Sequence, residues 1–205
     1  MTDRDEELGR FGEEDFINFC NRKNLSCIDV RRNSMYMIAD VDFIISKKKI
    51  SEGEKQKILK DEDYRCNLLF DRRTEKRDLK KIEVKTDAIS LTTGNIFYET
   101  ISHNFAGCGA KSMADYWYYV FVEHSTQDEY FTRQVWWIYL DKLREYLSDK
   151  EMDEKERRKN IWGIKTVNKL ENGDRTGSWL IDIKILEKQG IAKCLYYDNE
   201  NNTNR

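Results

Sequence analysis

The chain has 205 residues, 36% of them charged and 39% hydrophobic, with a formal net charge of -2. Five Trp, eleven Tyr and nine Phe supply enough surface to bury that a wholly disordered chain is excluded. The near-neutral balance argues against a general polyanion-coating protein, which would be distinctly basic, and the length suits one well-cored domain.

The five cysteines, Cys20, Cys27, Cys66, Cys108 and Cys194, are odd in number and contain no C-x-x-C pair. With only His103 and His124 beside them, they form neither a zinc framework nor a disulfide scaffold. Such thiols are expected in a reducing compartment. The opening Met1-Thr2-Asp3-Arg4-Asp5-Glu6-Glu7 is acidic and polar, unlike a signal peptide. No apolar run approaches the roughly 18 residues of a membrane span. A soluble, cytoplasmic protein is the expectation.

Residues 5–24 read as an amphipathic helix, with Leu8, Phe11, Gly12, Phe16, Phe19 and Cys20 on one face. Glu13 lies at the margin of that stripe and Glu14 points away to water, so Glu13 is the functional candidate of the two. Cys27–Val30 suggests a first strand. Ala39–Ile45 suggests a second, with Val41, Phe43 and Ile45 on its apolar face and Asp40, Asp42 and Ile44 opposite. Lys47 to about Tyr64 is charge-dense and reads as either a short helix over 54–59 or a mobile excursion, and 67–71 reads as a strand followed by a turn near 72–75.

The stretch 78–87 is the clearest strand. Ile82, Val84 and Thr86 share one face; Lys81, Glu83, Lys85 and Asp87 fall on the other. That charged face suits either water or a metal ion and a phosphate. Thr93-Gly94-Asn95 marks a turn, with a strand over 96–102 carrying Glu99 and a loop over 103–113. Residues 114–123, nearly all aromatic or β-branched, read as a buried strand. A strand over 135–140, a helix from Asp141 to about 148, a solvated stretch over 149–160, a strand over 178–183 and a helix over 185–197 complete the expectation, with a frayed tail after 198. Trp136 and Trp137 read as core and edge aromatics, and Glu99 and Asp115 as structural acids.

Glu13 on a helix, Asp42 on a strand and Glu83-Val84-Lys85 on the next strand stand in chain order. In this the sequence resembles the PD-(D/E)XK nuclease superfamily. Gly12-Glu13 is similar to that family's helical acidic motif, Val41-Asp42 stands where the family has Pro-Asp, and Glu83-Val84-Lys85 matches (D/E)-x-K. Gly94-Asn95-Ile96-Phe97-Tyr98-Glu99 and Ala114-Asp115-Tyr116-Trp117-Tyr118-Tyr119-Val120 are similar to the two strands after the catalytic hairpin in resolvase-like and phage-associated branches. The likeness covers roughly residues 8–123. Asp40 is a rival to Asp42, and the long interval to Glu83 implies an insertion at about 47–77.

The resemblance implies a single α/β domain over 1–205 of the restriction-endonuclease-like type, a mixed central sheet flanked by helices, with an extension from about 149. It implies Mg2+, with Mn2+ as a substitute, held by Asp42, Glu83 and the Val84 carbonyl, while Glu13 serves a second metal or orients a water. Lys85 would meet the scissile phosphate and help activate the water. Arg72, Arg73, Lys76, Arg77, Lys80 and Lys81, with Lys47-Lys48-Lys49 nearby, form a basic run suited to phosphate contact. The implied activity is metal-dependent hydrolysis of DNA. The rivals are a catalytically inactive nucleic-acid-binding or adaptor subunit and an RNA-directed nuclease, and a homodimer is compatible with double-strand cleavage.

Overall fold

The chain contains no proline, so helix starts fall to short polar side chains that can accept a backbone N–H. The computed structural model describes residues 3–71, 78–102, 105–125, 129–151, 164–171 and 174–197. They divide into two units, Met1–Lys85 with Ser112–Tyr118, and Thr86–Lys111 with Tyr119–Arg205. The architecture is mixed α/β, as expected, with a mixed six-stranded sheet in the order β1-β2-β3-β6-β7-β10 and a smaller sheet in the order β5-β4-β9-β8.

In the first unit, α1 (Asp3–Arg22) leads to β1 (Ser26–Asp29). The apolar face of α1 buries Phe16 and Cys20 completely. Phe16 lies 5.0 Å from the Phe43 ring and 4.8 Å from that of Tyr118, whose hydroxyl donates to Asp15 Oδ2 at 2.7 Å. Burying such a side chain contributes about 1.5–3 kcal/mol, and here it fixes the helix that carries Glu13.

The next elements are α2 (Ser34–Ile38), β2 (Phe43–Ser46), α3 (Glu52–Lys60) and α4 (Glu62–Phe70). Asn33, Ser51 and Asp61 cap the three helices through Met35, Glu54 and Tyr64 N–H groups. The strand expected over 67–71 is therefore the end of a helix. Asp61 caps it, Glu62 and Asp63 favour its positive end, and Leu68 and Leu69 are buried side by side instead of alternating. The second strand is also shorter than expected. Asp40 adopts a left-handed φ of 48°, which ends the α2 turn, and β2 starts only at Phe43. Phe43, Ile44, Ile45 and Ser46 are all buried, so this strand is covered on both faces and shows no polar alternation.

Strand β3 (Lys80–Asp87) pairs antiparallel with β2, and β6 (Tyr116–His124) follows it in the sheet order. The charged face of β3, which suited either water or a metal site, is partly interior: Lys81 is 2% and Glu83 3% exposed.

The second unit holds α5 (Ser90–Thr93), β4 (Asn95–Ser102), β5 (Phe105–Ala106), α6 (Cys108–Lys111), β7 (Tyr130–Tyr139), α7 (Leu140–Glu151), β8 (Ile164–Glu171), β9 (Asp174–Asp182), α8 (Ile183–Lys188) and β10 (Ala192–Tyr197). The expected loop over 103–113 contains β5 and α6 among its described residues. Glu99 is structural, accepting the Cys108 N–H at 3.1 Å. Trp136 is fully buried, as the core reading has it. The helix expected over 185–197 stops at Lys188. Gly190 has φ 67° and turns the chain, and the following Ala-Lys-Cys-Leu-Tyr-Tyr forms β10 against β7. Strand β8 lies where no element was expected. The expectations over 72–75, 152–160 and 198–205 lie outside the described residues. Among the described residues, no helix is long and apolar enough to cross a membrane.

Candidate active site

The site is built where β2 leaves β3. The ladder runs through Ile45–Lys80, Ile44–Lys81 and Phe43–Ile82. Asp42, just before β2, donates its N–H to the Ile82 carbonyl at 2.8 Å, and the ladder ends there. One residue earlier the chain has left β3: Val41 N–H bonds to the Tyr36 carbonyl at 3.0 Å, and the Asp42 carbonyl accepts the Val30 N–H at 3.0 Å.

The Asp42 carboxylate turns onto β3, where Oδ2 accepts the Val84 N–H at 2.7 Å. A side chain thus replaces the missing strand partner. In an antiparallel ladder the N–H and C=O of one residue face the same neighbour, so the Val84 carbonyl opens toward the same gap. Burial raises the Asp42 pKa to about 6, against the lowering effects of the Val84 N–H and of Lys85.

Glu83 lies inside the unit, and its Oε2 accepts the Trp117 indole N–H at 2.6 Å. Its Oε1 pairs with the Lys85 ammonium, and Ser112 adds a hydrogen bond. Burial still pushes the Glu83 carboxyl above its ordinary pKa, with Lys85 opposing and Asp40 reinforcing the rise. The Lys85 ammonium lies 5.7 Å over the Trp117 ring and acts electrostatically on both Asp42 and Glu83. It is the cation shared by the two strands.

Asp40 does not take the place of Asp42 in the bond to Val84. Its left-handed turn instead offers its carbonyl to the Ser112 hydroxyl at 3.2 Å. Glu13 projects from α1, half-buried, and pairs with Arg31. Burial raises its pKa and the guanidinium opposes the rise. Glu14 is exposed, as expected.

The structure thus gathers Asp42, Glu83, Val84 and Lys85 at one fork, with Glu13 coupled to Asp42 by charge. The basic run is less favourable. Arg72, Arg73, Lys76 and Arg77 lie outside the described residues, and Lys80 is half-buried. Lys81 is corrected: its ammonium donates to the Leu69 carbonyl at 2.7 Å and pairs with Asp115 at 3.6 Å. Buried among these groups, it ties α4 to β3 and is closed to a phosphate.

Two residues were not singled out by sequence reasoning. Trp117 holds Glu83, and its place in an apolar strand pointed only to core packing. Arg31 was passed over although Asp29 and Arg31 share one side of an extended segment, two residues apart.

The donors at the fork are hard oxygens, the kind that suit Mg2+. Among the described residues, no group of three or more His, Cys, Asp or Glu is drawn together to hold a metal ion. Glu83 and Glu13 are instead engaged by Lys85 and Arg31. A divalent cation would have to displace these two basic side chains from the carboxylates they now neutralise. No protein-family model, no curated protein and no solved structure matches the chain.

Proposed function

We propose that this protein is a metal-dependent nuclease of the restriction-endonuclease-like type that hydrolyses phosphodiester bonds of DNA. The observation that carries this reading is the fork itself: Asp42, at the end of the ladder, accepts the Val84 N–H beside a buried Glu83 paired to Lys85. A solvated charge pair would need neither that bond nor the indole donor on Glu83.

Asp42, Glu83 and the Val84 carbonyl would hold Mg2+, with Mn2+ as a substitute, and Glu13 would orient a water or serve a second ion. The bound ion would supply Lewis-acid stabilisation of the charge developing at phosphorus. Lys85 would leave Glu83 for the scissile phosphate, and its ammonium would stabilise the developing negative charge and position the attacking water. Trp117 would keep Glu83 in place once Lys85 has moved. The pairing of Glu13 and Glu83 with basic side chains also favours a second reading, a nucleic-acid-binding or adaptor subunit without turnover.

Cleavage of labelled linear, supercoiled, branched and single-stranded DNA, and of RNA, in Mg2+, Mn2+ or EDTA separates these readings. The proposal expects DNA cleavage that needs a metal and is lost in Glu83→Ala and Lys85→Ala. Cleavage of RNA alone would move the assignment to an RNA-directed nuclease, and binding without cleavage would leave the adaptor.

A further inference from the structure

Arg31 stands beside the fork, and the reading above gives it no task. Its guanidinium grips Asp29 with two parallel bonds, Nε to Oδ1 at 3.0 Å and Nη2 to Oδ2 at 2.5 Å. Nη1 reaches back to Glu13, and the group lies 5.0 Å over the ring of Phe43, the residue next to Asp42. Phe43 and Glu13 therefore fix the arginine from the protein side, while Asp29, with 46% of its side chain exposed, occupies the edge that faces water.

A carboxylate held by a guanidinium fork presents two oxygens as the non-bridging oxygens of a phosphodiester do. Asp29 Oδ1 also accepts the Arg31 backbone N–H at 3.1 Å, and with 29% and 46% of the two side chains exposed the pair lies open to a competing anion. We propose that Arg31 is a phosphate-gripping residue of this site, that Asp29 is the internal stand-in for a DNA backbone phosphate, and that Glu13 and Phe43 hold the guanidinium in aim. This inference rests on the nuclease reading and extends it to how the substrate is held. It also gives Glu13 a positioning part through Arg31.

The test is binding of a fluorescein-labelled DNA duplex in EDTA, where a metal-dependent site does not turn over, followed by anisotropy over a sodium chloride series. Arg31→Gln is expected to weaken binding about tenfold and to reduce the slope of log affinity against log salt by about 0.9, the loss of one phosphate contact. Arg31→Lys should restore the slope and only part of the affinity, because an ammonium cannot bind two oxygens as a fork does. Asp29→Asn should tighten binding several-fold, since it removes the competing anion; a merely structural pair predicts no change or weaker binding. If Arg31→Gln does not fold, the sign of the Asp29→Asn effect decides. An unchanged slope in Arg31→Gln, or no tightening in Asp29→Asn, with wild-type binding intact, overturns the role of Arg31 alone. No duplex binding by the wild type overturns both this inference and the nuclease reading.

Discussion

Asp42 Oδ2 accepts the Val84 N–H at 2.7 Å, so a side chain completes the edge of β3 that β2 has left. A carboxylate that merely ended a strand would face water and titrate as an ordinary acid. This one is buried beside Val84, with Lys85, Glu13 and Arg31 acting on it by charge.

Replacing Asp42 by Asn should stabilise the fold at neutral pH. Burial raises its pKa from 3.8 to about 6, so keeping it ionised costs about 3 kcal/mol at pH 7. Because the folded-state value is the higher one, the cost is absent below 3.8, grows as the pH rises through the window up to about 6, and is complete above it. Urea unfolding of wild type and Asp42→Asn checks this. The variant should gain up to about 3 kcal/mol at pH 7 and nothing near pH 3; an equal difference at both pH values would refute burial as the cause. The ionised form should also hold metal better, so affinity for Mn2+ should rise through the same window.

Lys85→Met should destabilise the protein because it strands the Glu83 carboxylate, whose side chain is 4% exposed. The loss should be about 1–3 kcal/mol at pH 7, less than for a fully buried pair because Lys85 keeps some contact with water. Adding Glu83→Gln to Lys85→Met should recover most of that stability, while neither variant cleaves DNA. If the double variant is no more stable than Lys85→Met alone, the pairing is not what holds the Glu83 charge.

The fold was partly legible in the sequence, and the divide follows the physics. The α1 face was readable because Phe16 and Cys20 repeat at helical spacing, and β3 because Ile82, Val84 and Thr86 alternate. What alternation cannot say is whether the opposite face meets water. Lys81 and Glu83 look the same on paper, yet Lys81 is closed in by Leu69 and Asp115 and Glu83 by Trp117 and Lys85. Strand β10 was read as the end of a helix over 185–197, and the left-handed turn at Gly190 that separates the two elements was missed. Glu83-Val84-Lys85 and Asp42 were legible as a local pattern. The bond from the Val84 N–H to Asp42 was not, since it depends on where β2 leaves β3. The Asp29–Arg31 spacing was legible and passed over, whereas only folding brings Glu13 from α1 to the arginine.

The central claim is that Asp42 and Glu83 hold one divalent cation at the β2–β3 fork. Calorimetric titration of Mn2+ into wild type, Asp42→Asn and Glu83→Gln tests it most directly, with Tm followed in parallel. The account predicts saturable binding by the wild type, a rise in Tm equivalent to about 2.7 kcal/mol of stability when the metal stands at 100 times its Kd, and loss of both effects in each variant. Absence of Mn2+ binding by the wild type, or binding that survives both substitutions, would contradict it.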